Sequence, residues 1–131
     1  MIVLDTHAWL WWLSDPKRIP SRTRSRIDAA LDEGALAISA ISAWEVAMLV
    51  ANGRIELAMP VDALVTACEQ MPGFTLLPLT ARVAAAAARL VLPHPDPADR
   101  FITATALAAN ATLVTRDERL RSSDLVRTDW S

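Results

Sequence analysis

Ile2-Val3-Leu4 is a short β-branched apolar run that stops at Asp5, a pattern that predicts a buried strand. Thr6 to Ser14 predicts a helix, halted at Asp15-Pro16 because the residue before a proline is pushed out of helical dihedral angles. After a basic loop, Ser21 opens a second helix with Ile27, Ala30 and Leu31 at helical spacing, and Gly34 ends it. Leu36-Ala37-Ile38-Ser39 predicts a second strand, and Ser42 begins a helix to about Ala51, closed by Asn52-Gly53. Pro60 to Met71 has amphipathic helical spacing, followed by Pro72-Gly73 and a strand from Phe74 to Leu77. Thr80 starts an alanine-rich helix to about Leu92. Pro93-His94-Pro95-Asp96-Pro97 is a stiff connector, with His94 a loop residue, and a further helix runs from about Ala98 to Ala109 until Asn110 ends it. Ala111 to Val114 is a fourth strand, then a helical turn around Glu118 to Leu120 and a small edge strand near Val126.

Short apolar strands alternating with helices imply an α/β fold, with a parallel sheet of four to five strands covered on both faces. No repeat, linker or composition break divides residues 1–131, so one domain is expected. At 53% hydrophobic residues the chain can bury enough surface to exclude disorder. Cys68 is the sole cysteine, and its pattern with Val61, Leu64 and Val65 predicts a core position. No uncharged apolar stretch approaches the ~18 residues of a membrane span, and the N-terminus lacks the basic region of a signal peptide. A soluble, cytoplasmic protein is the expectation. The net charge of −2 argues against a global polyanion-binding field. Local clusters alter that picture: Lys17, Arg18, Arg22, Arg24 and Arg26 form one, and Arg116, Arg119, Arg121 and Arg127 another.

Ligands of an open parallel sheet collect at the carboxyl ends of its strands. Asp5 ends the first strand, Asp117 follows the fourth, Glu45 lies six residues past Ser39, and Asp99 starts the helix leading to the fourth strand. Each has a purely structural alternative. Ser42-Ala43-Trp44-Glu45 fits a capping box, Asp96-Pro97-Ala98-Asp99 fits an N-cap with proline at N1 and a carboxylate at N3, and Asp117 can cap the turn to Leu120. Asp5 and Glu45 are harder to explain this way, because both sit among apolar neighbours where a carboxylate must be paired or bind a metal. Arg100 is a candidate partner, but one arginine does not neutralise four carboxylates. An all-oxygen set selects a hard ion such as Mg²⁺ or Mn²⁺, which points to metal-dependent phosphoryl transfer.

Four stretches in order complete the pattern: Ile2-Val3-Leu4-Asp5-Thr6-His7-Ala8-Trp9-Leu10-Trp11-Trp12, Ser39 to Ala47, Asp96 to Ala106, and Leu113-Val114-Thr115-Arg116-Asp117. Together they resemble the PIN-domain ribonucleases, and within them the VapC-type toxins of bacterial toxin–antitoxin pairs. The resemblance spans essentially the whole chain and implies a three-layer PIN-like fold and hydrolysis of RNA phosphodiester bonds. It implies Mg²⁺ as cofactor, with Mn²⁺ able to substitute, and Asp5, Glu45, Asp99 and Asp117 as the catalytic metal-binding set. Asp5 and Asp99 would be the main ligands, with Thr115, Thr6 and Asp96 as helpers and Asp124 as an outside candidate. An RNA substrate, a cognate antitoxin and a homodimer are the implied partners. Setting aside the four carboxylates leaves the rest of the chain at +2. Arg22, Arg24, Arg116 and Arg119 are thus candidate RNA contacts, against the alternative of solvated helix faces.

Trp9 and Trp44 are expected in core or interface packing, whereas Trp11 and Trp12, adjacent on a helix, cannot share a face, so one is free to reach a partner surface. His7 is a candidate base, with a satisfied helix-start histidine as the alternative. A haloacid-dehalogenase-type phosphatase would carry a second aspartate where His7 stands and a late lysine, and a response-regulator receiver would also need that lysine; the single lysine, Lys17, disfavours both. A non-catalytic PIN-like binding protein is the remaining alternative.

Overall fold

A computed structural model of the chain describes residues 1–92 and 96–131. The predicted proline-rich connector around His94 therefore falls partly outside the described residues. Strands β1 (Ile2–Leu4), β2 (Leu36–Ser39), β3 (Phe74–Leu77), β4 (Thr112–Val114) and β5 (Thr128–Asp129) form one sheet in the order β3-β2-β1-β4-β5, with every pair parallel. Helices α1 (Thr6–Ser14), α2 (Ser21–Asp32), α3 (Ala40–Ala51), α4 (Val61–Glu69), α5 (Ala81–Arg89), α6 (Pro97–Ala108) and α7 (Glu118–Arg121) connect them, with a 3₁₀ turn at Pro16–Arg18.

Because side chains alternate across a strand, the central strands feed two cores. Leu4, Leu36, Ile38 and Val114 face one side, where they join Trp9, Ile19, Ile27, Val46, Cys68 and Phe74. Val3, Ala37 and Leu113 face the other and join Ile102, Ala106, Leu120 and Val126. Helices on both faces thus give a three-layer α/β architecture, as the resemblance implied. Among the described residues, no helix is long and apolar enough to cross a membrane.

Several boundaries follow local chemistry. At the end of α2 the Ala35 and Gly34 amides bond back to the Ala30 and Leu31 carbonyls at 2.8 and 3.1 Å, a Schellman closure that places Gly34 at φ +72°. Asn110 makes the equivalent closure after α6 at φ +50°. Gly73 is needed for space as well as conformation: at φ +84°, a Cβ there would stand 2.1 Å from the Leu31 carbonyl oxygen.

Some expectations are corrected. Helix α3 begins at Ala40, with Ser39 as its N-cap accepting from the Ile41 amide at 3.2 Å. Ser42 is buried inside the helix, so the capping box with Glu45 does not form. Trp9 is fully buried, but Trp44 is 55% exposed and lies outside the core. Ser42 and Val46 mark the buried face of α3, and at ~100° per residue Trp44 falls on the opposite one. The alanine-rich helix ends at Arg89, because Leu90 is already extended, and the edge strand lies at Thr128–Asp129 instead of at Val126.

Candidate active site

β1 is the point at which the strand order reverses, since the chain runs outward to β2 and β3 and then returns to the other side as β4. A crevice outside the carboxyl ends at such a switch point is the usual ligand site of an open parallel sheet. Leu4 is in register with Ile38 and Val114, so Asp5, Ser39 and Thr115 emerge along one edge. A cleft of about 800 Å³ opens there. Asp5, Glu45, Asp96, Asp99 and Asp117 line it together with Thr6, His7, Trp11, Arg116 and Arg119.

Asp5 is the N-cap of α1, its Oδ1 accepting from the Ala8 amide at 2.8 Å. Its backbone amide is anchored on the Val114 carbonyl at 3.0 Å. Thr115 is fully buried; its hydroxyl donates to the Asp5 carboxylate, and its oxygen accepts from the Asp117 amide at 3.1 Å. One threonine therefore orients two of the acids. Asp117 caps α7 by accepting from the Arg119 amide at 2.8 Å. Asp96 caps α6 by accepting from the Ala98 amide at 3.0 Å, and Asp99 lies in the first turn of that helix.

Glu45 takes a different bond. The Thr6 hydroxyl donates to Glu45 Oε1 and lies 3.0 Å from Ser42 Oγ. With one proton to give, Thr6 spends it on the carboxylate and accepts from Ser42. Helices α1 and α3 are thereby tied at the cleft. Arg100 is not turned to the acids; its guanidinium donates to the Leu90 and Ala87 carbonyls at 2.6 and 3.3 Å, closing the end of α5.

The carboxylates sense one another. Burial pushes the Asp5 carboxyl above the usual range, with Asp117 adding to the rise, and the bonds from Thr115 and Ala8 and the nearby His7 opposing it. Burial likewise raises Glu45, opposed by Thr6 and His7 and reinforced by Asp96 and Asp5. Asp99 is pushed up to about 7, by burial first and then by repulsion from Asp96, Glu45, Asp5 and Asp117. An all-oxygen donor set in this charge state fits a hard divalent cation. Among the described residues, no three histidine, cysteine or acidic groups are drawn together into a ready-made metal cage.

The other predicted residues separate. Arg116 and Arg119 line the cleft. Arg24 lines a different hollow with Trp12 and Asp28, and Arg22 is exposed on α2. The inner face of that helix is taken by Thr23 and Ile27, and Arg26 pairs with Asp129 of β5 at 2.5 Å. Asp124 belongs to a third hollow, beside Leu107 and Val126.

A family model described as PIN domain matches residues 2–124. The chain belongs to the PIN-domain family. Ribonuclease VapC22 of Mycobacterium tuberculosis (strain ATCC 25618 / H37Rv) is 41% identical to it over 122 residues, covering 92% of this chain and 90% of that protein. The crystal structure of FitAcB from Neisseria gonorrhoeae matches with a TM-score of 0.63 at 27% identity, covering 98% of this chain and 96% of that one. VapBC2 from Rickettsia felis, solved bound to a DNA fragment from its promoter, has a TM-score of 0.70 over the full length of both chains. At 17% identity that likeness is one of fold alone.

Two features around Trp11 of this PIN domain go unmarked in the sequence. Trp11 lines the cleft, four residues after His7 and therefore on the same helix face, and the two rings lie 5.8 Å apart. Arg18 places its guanidinium over the Trp11 ring, 4.5 Å from the centroid. The helical spacing of His7 and Trp11 was a usable signal for the first. Nothing local pointed to the second.

Proposed function

We propose that the protein is a metal-dependent endoribonuclease and the toxin of a toxin–antitoxin pair. The observation that carries this reading is the convergence of Asp5, Glu45, Asp99 and Asp117 on one cleft at the switch point of the sheet. The 41% identity to a named ribonuclease over nine-tenths of both chains supports RNA as the substrate. Asp5 and Asp99 would hold Mg²⁺ or Mn²⁺, with Glu45 and Asp117 completing the acidic set. When bound, such an ion supplies Lewis-acid activation of water and stabilises charge at phosphorus.

The chain's own groups do the positioning. Thr115, just past the end of β4, bonds both Asp5 and Asp117, and Thr6 with Ser42 fixes Glu45. With its pKa pushed up to about 7, the Asp99 carboxyl is partly protonated near neutrality, which limits repulsion within the cleft. Arg116 and Arg119 stand at the rim, where cations draw in a polyanion that the acids alone would repel. The VapC-type kinship further supports a cognate antitoxin and a homodimer.

The test is incubation of purified protein with a structured RNA pool and Mg²⁺ or Mn²⁺, beside EDTA and Asp99→Asn controls. Cleavage that requires both the metal and Asp99 is the expected result. Parent-rate cleavage by Asp99→Asn, or in EDTA, refutes the assignment. Elution of the purified protein as a monomer in light-scattering chromatography refutes the dimer.

A further inference from the structure

Arg18 and Arg116 come from segments far apart in the chain, yet both are seated on one indole. The Arg18 guanidinium carbon is 4.5 Å from the Trp11 ring centroid and that of Arg116 is 5.6 Å away. Two like charges gather on one ring only if something offsets their repulsion, and the face of tryptophan is the best side-chain partner for a guanidinium. The ring is itself held in place. It is half-buried on α1 and braced by Trp130 and His7, each with its ring centroid 5.8 Å away. Trp11 also lines two adjoining spaces, the acidic cleft on one side and, on the other, a groove that takes in Arg18. Both arginines are exposed, so their unused N–H groups face solvent beside the cleft. Guanidinium forks suit phosphate oxygens, and a ring that holds them in place limits the side-chain freedom lost on binding.

We propose that Trp11, with Arg18 and Arg116 seated on its ring, forms a phosphate-holding platform for the single-stranded RNA next to the scissile bond. The inference rests on the ribonuclease reading and adds to it a path: from the carboxylates, past Arg116, over Trp11 and toward Arg18. Arg18 and Arg116 contact the RNA backbone. Trp11 is a positioning residue that acts through them. The platform carries no base-specific element, so it contributes affinity and register, and target choice lies elsewhere.

Binding and cleavage are measured separately. Fluorescence anisotropy of a short labelled single-stranded oligouridylate, titrated over a range of salt in the Asp99→Asn background, reads binding without consuming the RNA. Mg²⁺-dependent cleavage of an RNA pool is followed with the parent. Arg18→Gln and Arg116→Gln are each expected to weaken binding about threefold or more and to lower the salt slope by about 0.7, the value for one single-strand phosphate contact. Trp11→Leu should lose as much as both arginine changes together, and combining it with Arg18→Gln should add little. Trp11→Phe should retain most of the affinity, because an aromatic face remains. A merely structural tryptophan would not move the salt slope.

Arginine variants with parent affinity and slope overturn the platform, as does the absence of RNA binding by any form. If the parent cleaves RNA while the arginine variants bind and cut as it does, the platform falls and the ribonuclease reading stands. Arginine-dependent binding by a parent that never cleaves does the reverse. Circular dichroism checks the fold of every variant, and the exposure of both arginines makes their glutamine forms the decisive pair.

Discussion

Replacing Asp99 by asparagine keeps the shape of the side chain and removes its charge. In the folded protein the Asp99 carboxyl titrates near 7 instead of 3.8, driven by burial and by four neighbouring carboxylates. A raised folded-state pKa means that this group favours the fold when protonated. Its contribution is fully present below about pH 4 and is lost as pH rises through 7. At pH 8 the ionised group therefore opposes folding. A move from 3.8 to about 7 sets a ceiling of about 4 kcal/mol at ~1.36 kcal/mol per tenfold change. The cleft is open to water, and screening brings the realised cost to about 1–2 kcal/mol. Urea or thermal unfolding in EDTA should show Asp99→Asn more stable than the parent by that amount at pH 8, with most of the gain developing between pH 4 and 7. For a chain of this size, it corresponds to a rise of roughly 3–10 °C in the midpoint. The same variant should lose Mg²⁺-dependent RNA cleavage. A variant equally stable at both pH values, or less stable at pH 8, would refute the repulsion that the geometry implies.

Trp9→Ala should cost ~3–5 kcal/mol in denaturant unfolding, since its ring is wholly enclosed, whereas Trp44→Ala, more than half exposed, should change stability by less than ~0.5 kcal/mol. Thr115→Val removes the donor to Asp5 and the acceptor for the Asp117 amide at once, and should lower metal affinity or cleavage ~10–100-fold, read by Mg²⁺ titration of the rate. Asp5→Asn should abolish cleavage with little loss of stability because asparagine is as good an N-cap, while Asp5→Ala should also destabilise the fold by ~1 kcal/mol.

Strands were the most legible part of the chain. Ile2–Leu4, Leu36–Ser39 and Phe74–Leu77 are short apolar runs with turn residues or charges close by, and the structure forms them at those bounds. The start of α3 was less legible. The apolar run passes from strand to helix without a breaker, and both Ser39 and Ser42 offer a capping hydroxyl. What decides between them is the Thr6–Ser42 contact across 36 positions, which carries no local trace. Trp44 misled for a related reason: a helix that is apolar all round has no periodicity to reveal its inward face. Arg100 misled by adjacency, because consecutive helical residues point ~100° apart and its neighbour Asp99 takes the cleft side.

Capping a helix and lining the cleft are compatible roles for these acids. Asp5, Asp96 and Asp117 each cap a helix, and Asp99 lies in the first turn of the helix that Asp96 caps. A parallel sheet sends every strand's successor helix off from the same edge, so the N-termini of those helices gather where the strands end. Their unpaired amides and positive dipole ends face the cleft and offset part of the repulsion among the carboxylates. The fold thus supplies a place where clustered acids are tolerable. Glu45 is the exception that sharpens the point. It lies within α3, away from that helix's start, and depends on Thr6 for its hydrogen bond. Loss of the Thr6 hydroxyl should therefore disturb Glu45 while leaving the helix-capped acids in place.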